Sequence, residues 1–140
     1  SQLRMLFLND NNLQVLPPEM GDLVHMHTLH VQNNPQLLAL PIELGKLNHE
    51  SFGGCLKEIV LDTEIIEYPP PETLAEGLPL ALDLMSRVWA LASGAAEGHL
   101  TLANMHLLKI PACLLHPPLS TQITDLNIFH NSLTRLPPEF

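Results

Sequence analysis

Apolar residues recur along this chain at fixed offsets. From Leu3 the order is Leu3-x-x-Leu6-x-Leu8-x-x-Asn11-x-Leu13-x-x-Leu16-Pro17-x-x-Met20-x-x-Leu23, and it returns after 23 residues. The second copy runs Met26-x-x-Leu29-x-Val31-x-x-Asn34, takes one inserted residue, and continues Leu37-x-x-Leu40-Pro41-x-x-Leu44-x-x-Leu47. A degenerate third copy reads Leu56-x-x-Ile59-x-Leu61-x-x-Glu64, then Ile65-x-x-Tyr68-Pro69. Leu100-x-Leu102 with Leu107-x-x-Ile110-Pro111-x-x-Leu114 makes a fourth, and Ile123-x-x-Leu126-x-Ile128-x-x-Asn131-x-Leu133-x-x-Leu136-Pro137-x-x-Phe140 is a full fifth. Agreement at so many positions marks a tandem array, in which each unit buries its apolar face only against its neighbours.

Each slot has a physical reading. Around Leu6-x-Leu8 the alternation has period 2, so the leucines point inward and Met5, Phe7 and Asn9 point to the other face of a short strand. Stacking the copies aligns these strands into a parallel sheet. Asn11, Asn34 and Asn131 stand where the chain leaves the strand, and their amides can donate to and accept from the backbone of neighbouring turns. The Leu-Pro pairs at 16–17, 40–41 and 136–137 put a buried anchor before a residue that fixes φ and opens a helical turn. The expected fold is therefore an α/β solenoid that bends into a horseshoe, with short parallel strands on its concave side and turns or short helices on its convex side.

Residues 75–98 break the pattern. Tyr68-Pro69-Pro70-Pro71-Glu72 stiffens the exit from the third copy, because consecutive prolines favour polyproline II. From Pro79, Leu82, Met85, Trp89 and Ala92 fall at helical spacing, widened by Leu80, Leu84, Val88 and Leu91, so one interrupting helix is expected near 79–93. Its apolar stripe suits an internal cap on the first repeat block, with Trp89 as a core plug; a docking helix for a partner is the other reading. The expected organisation is a first block over 1–74, a helical insertion or cap over 75–98, and a second block over 99–140.

Leu16-Pro17-Pro18-Glu19 and Leu136-Pro137-Pro138-Glu139 bring a resemblance. Over residues 3–74 and 100–140 the sequence resembles the intracellular leucine-rich repeat family, most closely its Ras-group scaffold type with 23-residue Leu-Pro-Pro-Glu repeats. That resemblance implies a cytosolic scaffold that binds proteins in signalling, and it brings no catalytic residues. Repeats of this length also stand beside kinase, GTPase and death-type domains.

Composition narrows the chemistry. Apolar residues make up 46% and charged residues 15%, which argues a folded domain, and the aromatic share of 4% leaves leucine to build the core. The net charge is −9, with six Lys plus Arg and no basic block, so nucleic acid and anionic membrane are not expected partners. A protein with a basic surface suits the charge better. Acidic residues concentrate in the middle (Glu50, Glu58, Asp62, Glu64, Glu67, Glu72, Glu76, Asp83 and Glu97), against Lys57 and Arg87. Cys55 and Cys113 are too few for a disulfide scaffold, no Asn starts an N-x-Ser/Thr acceptor, and no signal or spanning segment is apparent, so a cytoplasmic protein is expected. Ser1 already stands inside a repeat and Phe140 inside another, which predicts a fragment without end caps.

No catalytic, cofactor or metal site is expected. His25, His27 and His30 are close in sequence but fall on different parts of the repeat frame, so they do not converge on a metal. There is no P-loop, dinucleotide fingerprint or His-Glu-x-x-His, and an enzyme is not predicted. What remains is the outward face of the strands, read as three columns: Met5, Thr28, Glu58, His99 and Asp125; Phe7, His30, Val60, Thr101 and Asn127; Asn9, Gln32, Asp62, Ala103 and Phe129. Of these, Met5, Phe7, Thr28, His30, Gln32, Glu58, Val60, Asp62, Thr101, Asp125, Asn127 and Phe129 are the candidate partner contacts, with Met5, Phe7 and Phe129 as large apolar side chains for a partner to cover. The leading expectation is a signalling scaffold that binds through this face. The alternatives are the sensing or autoinhibitory repeat region of a larger kinase or GTPase, and a purely structural array.

Overall fold

A computed structural model describes residues 2–48 and 56–138; Glu50, Cys55, Glu139 and Phe140 lie outside the described residues. Each apolar-x-apolar core of the repeat forms a strand of three residues: β1 (Met5–Phe7), β2 (Thr28–His30), β3 (Glu58–Val60), β4 (His99–Thr101) and β5 (Asp125–Asn127). All pairings are parallel, in the order β1-β2-β3 in one sheet and β4-β5 in the other. The register sets Met5 beside Thr28 beside Glu58, Phe7 beside His30 beside Val60, and His99 beside Asp125, so the expected columns hold within each sheet.

Behind the strands runs a row of helical turns. The 3-10 turns Pro18–Asp22 and Ile42–Leu47 follow Pro17 and Pro41, whose extended backbones (φ −69° and −65°) deliver the chain into the turn. The row continues through α1 (Pro71–Leu74), α2 (Leu78–Ala92), the 3-10 turn Ala112–Leu115 and α3 (Leu119–Gln122). After the strands the chain turns on left-handed residues, Asp10, Asn33, Asn104 and His130, at φ between 55° and 60°. Asn and Asp tolerate that region better than most residues, because their short polar side chains bond locally.

The Asn slots work as expected where a neighbour exists. Asn34, fully buried, donates to the carbonyls of Leu8 (3.0 Å) and Val31 (2.8 Å) and accepts from the Leu13 N–H (3.1 Å). Asn131 donates to Leu102 and Ile128 and accepts the N–H groups of Met105 and Leu107, both at 3.0 Å. The fourth repeat has Met105 in its Asn slot. There the buried Thr73 hydroxyl of α1 donates to the Met105 carbonyl at 2.7 Å and steadies the turn instead. In the third repeat Glu64 holds the slot, the Ile65 and Ile66 N–H groups both bond the Asp62 carbonyl, and the tightened turn buries Ile66 rather than Ile65.

The helix expected near 79–93 is α2. Its buried face is Ala81, Leu82, Leu84, Met85, Ser86, Val88 and Leu91, while Trp89 and Ala92 sit half-buried at its margin. The stripe is therefore turned from the one read in the sequence, and Gly45 supplies the reason: a Cβ there would strike the Met85 carbonyl, so only glycine lets the two backbones meet at this point. Trp89, instead of plugging the core, stacks under Lys46, whose Nζ lies 4.7 Å from the ring centre. One apolar cluster runs from Leu29 and Leu44 through Leu84 and Met85 to Leu102 and Leu114, so α2 contributes to a core shared with both sheets.

Between β3 and β4 no ladder forms. The β4 edge turned away from β5 carries the Thr101 carbonyl, and the Arg87 guanidinium of α2 donates to it at 3.0 Å. Arg87 is held in turn by Asp83, with contacts of 3.1 and 3.3 Å. A side chain from the helix thus satisfies the acceptor that a neighbouring strand would have taken.

Candidate functional site

The candidate site is the strand face opposite the helical row. Period-2 alternation sends every second residue of each strand there, and the parallel register lines them up. Met5, Phe7 and Phe129 are 57%, 54% and 52% exposed, which makes them large apolar side chains open to a partner. Phe7 meets His30 edge-on, with ring centres 4.8 Å apart at 90°, and Phe129 meets His130 at the same separation. In such contacts the edge of one ring meets the face of the other, and both phenyl side chains stay about half exposed.

Acidic groups flank these rings. His30 Nε2 lies 3.4 Å from Glu58 Oε2, and His99 Nδ1 lies 2.8 Å from Asp125 Oδ2. The carboxylates are well exposed, so such pairs contribute little to stability, roughly 0–1 kcal/mol each, and stay available to a ligand. Asp62 is more committed, because its Oδ2 accepts the Asn33 N–H at 2.9 Å. Beside it an open groove of about 540 Å³ is lined by Asn33, Pro35, Leu61, Asp62, Thr63, Glu64 and Ile65.

The remaining positions differ in what they offer. Glu58, Thr101, Asp125 and Asn127 are exposed; His30, Gln32, Val60 and Asp62 are half-buried. Thr28 is 8% exposed and lies covered between Met5 and Glu58. Asn127 turns its Oδ1 back to the Phe129 N–H at 3.3 Å. The residues come together as two patches, Met5–Phe7–His30–Glu58–Asp62 on the first sheet and Thr101–Asp125–Asn127–Phe129 on the second, divided where the ladder stops.

Among the described residues there is no group of three or more His, Cys, Asp or Glu able to hold a metal. Cys113 is pushed up to about 11 by burial, which keeps its sulfur in the thiol form and a poor nucleophile. No helix of the described residues is long and apolar enough to cross a membrane. Residues that the sequence reading did not single out, Gly45, Thr73 and Arg87, place the face rather than form it. Gly45 carried one signal, since it holds the same frame position as Gly21, where a Cβ would likewise strike the backbone of the next turn at Glu43.

Short parallel strands alternating with 3-10 and α-helical elements on a 23-residue frame make a leucine-rich-repeat-like α/β arrangement. Over 83 residues, 59% of the chain, it is 35% identical to the leucine-rich repeat serine/threonine-protein kinase 1 of Mus musculus. That stretch amounts to 4% of the kinase, so the chain spans only a small part of this relative's length. No family model matches the chain. No solved structure matches it either.

Proposed function

We propose that this chain is a protein-interaction region of a larger signalling protein, the sensing or autoinhibitory repeats of a kinase or GTPase, and that it binds a protein segment on its strand face. The observation that carries the binding face is the exposure of Phe7 and Phe129 among carboxylates that their histidine partners leave accessible. The similarity to a repeat-bearing kinase favours the larger-protein setting over a free-standing scaffold. In this reading the strand face is the concave side of a curved array, and Met5, Phe7, His30, Gln32, Glu58, Val60, Asp62, Thr101, Asp125, Asn127 and Phe129 make its contacts, with Thr28 covered beneath Met5 and Glu58.

The partner is a protein with a basic surface, and the compartment is the cytoplasm. Glu58, Asp62, Glu64 and Asp125 give the face a negative field that draws Lys and Arg side chains, while the phenyl rings add apolar area and a cation-π surface. A free-standing scaffold is the second reading, and the Leu-Pro-Pro-Glu motifs at 16–19 and 136–139 favour it.

Affinity capture with the wild-type chain and with its Phe7→Ala/His30→Ala/Phe129→Ala variant tests the face, with circular dichroism confirming that both are folded. A partner retained by the wild type and lost by the variant supports it. A partner kept equally by both contradicts it.

A further inference from the structure

The two strand edges at the break in the sheet differ. On β4 the Thr101 carbonyl takes the Arg87 guanidinium at 3.0 Å, and the His99 N–H bonds the Ala96 carbonyl at 3.0 Å. On β3 the bonds of Glu58 and Val60 run back to β2, at the His27 carbonyl and the Val31 N–H. The alternate residues, Ile59 and Leu61, therefore turn their N–H and C=O groups to the opposite side, where neither has a hydrogen-bond partner among the described residues. This edge belongs to the interruption inside the chain, between the third and fourth repeats, and not to either terminus.

Burial repeats the contrast. Leu100 and Leu102 of the fourth repeat are 2% and 0% exposed, and Leu29 and Val31 of the second are 0% and 1% exposed, whereas Ile59 and Leu61 in the same slots of the third stay half-buried. Helix α2 packs against β4. Beside β3 there is room: a hollow of about 560 Å³ at its start is lined by Leu56, Leu80, Leu82 and Asp83 among others, and the groove of about 540 Å³ at its end is walled by Leu61, Asp62 and Glu64. The charge along this edge has one sign. From Lys57 to Glu67 four carboxylates, Glu58, Asp62, Glu64 and Glu67, stand against the one ammonium of Lys57. On the far bank Arg87 is neutralised by Asp83 at 3.1 Å.

We propose that β3 takes a strand from the partner: an extended segment with alternating apolar and basic residues pairs its backbone with Ile59 and Leu61 and continues the first sheet into the break. Alternation then sends its apolar side chains inward beside Ile59 and Leu61, and its Lys or Arg side chains outward beside Glu58 and Asp62, within reach of Glu64. Main-chain bonds supply affinity and the acidic edge selects the basic segment. The inference rests on the reading of the strand face as a protein-binding face, and names the form in which the bound segment lies on it.

Fluorescence anisotropy with a short labelled peptide of alternating Val and Lys tests the pairing, alongside residue-resolved amide exchange by NMR. The peptide is expected to bind and to slow exchange at the Ile59 and Leu61 amides. The same peptide with methylated backbone nitrogens keeps its charge but loses its donors, and is expected to bind roughly ten- to a hundredfold more weakly. Glu58→Gln/Glu64→Gln is expected to weaken binding of the unmethylated peptide by roughly three- to tenfold. Both glutamates are exposed, so the variant keeps its circular dichroism spectrum, and the methylated peptide tests the edge with the protein unaltered. A peptide that fails to bind, that leaves Ile59 and Leu61 unprotected, or that binds equally well when methylated overturns the proposal, and so does an affinity that the double variant leaves unchanged. A captured partner that the Phe7→Ala/His30→Ala/Phe129→Ala variant loses, but that leaves both amides unprotected in the wild type, overturns the added strand while the binding face stands.

Discussion

The Arg87 guanidinium donates to the Thr101 carbonyl at 3.0 Å and so occupies the strand edge at which the sheet stops. The interruption of the repeat at 75–98 therefore has a direct consequence for the strand face, which it divides into a three-stranded and a two-stranded part. Arg87→Ala returns the carbonyl to water and removes two charge-assisted contacts with Asp83. Since both side chains are about two-fifths exposed, the expected loss in urea unfolding is modest, about 1 kcal/mol. A loss above about 3 kcal/mol, the range of a broken buried network, would contradict this reading of an edge in contact with solvent.

The three Asn slots differ in what depends on them. Asn34→Ala strands buried partners on two repeats and is expected to cost about 2–3 kcal/mol. Asn131→Ala, half-buried, costs less, and Asn11→Ala, at the exposed first repeat, costs less than about 1 kcal/mol. Chemical denaturation of the three variants checks the order, and an Asn11→Ala variant as damaged as Asn34→Ala would refute it.

Gly45→Ala places a methyl group against the Met85 carbonyl, backbone on backbone, where neither side can turn away. The helix must shift, at an expected cost of about 1–3 kcal/mol. Gly94→Ala has open space around its Cβ but takes on the strain of a positive φ (86°), about 1–2 kcal/mol. Thermal melts check both against the wild type: a Gly45→Ala variant that melts with the wild type contradicts the tight crossing.

Tyr68 takes the leucine slot of the third repeat, and its buried hydroxyl has no hydrogen-bond partner among the described residues. Tyr68→Phe removes that unmet group and is expected to be neutral or stabilising by up to about 1 kcal/mol. Burial also raises the Tyr68 hydroxyl well above its usual range, with the neighbouring Cys113 and Glu43 adding to the shift. Both Tyr68 and Cys113 are held protonated more firmly in the folded chain than in the unfolded one, so folding binds protons at alkaline pH. For Cys113 the contribution is intact below its ordinary value of 9.0 and is lost as pH rises through about 11. Urea unfolding between these limits is expected to weaken with pH, and less steeply in Cys113→Ala. Equal slopes would contradict the assignment.

Much of this was legible in the sequence because the repeat imposes a period. Leu6, Leu29, Leu100 and Leu126 announce the strands and their register, and Pro17 and Pro41 announce the turns behind them. The amphipathic run from 78 announces α2, but its rotation depends on a single close approach at Gly45 that no hydrophobic pattern records. Replacement of the missing Asn by Thr73 was equally silent, because that hydroxyl reaches Met105 from 32 residues away. On the strand face, alternation turns Phe7 and Phe129 outward, where both are exposed, but treats Thr28 as their equal. Its burial depends on the longer side chains to either side, a property of neighbours and not of spacing.

The binding face is tested most directly by placing a photo-crosslinking residue, one position at a time, at Phe7 and Phe129 and at the equally exposed apolar positions Leu38 and Leu108 away from the strands. In the presence of the captured partner, covalent adducts are expected from positions 7 and 129 and not from 38 and 108. Adducts from 38 or 108 with none from 7 and 129 would contradict the account and move the partner to another surface.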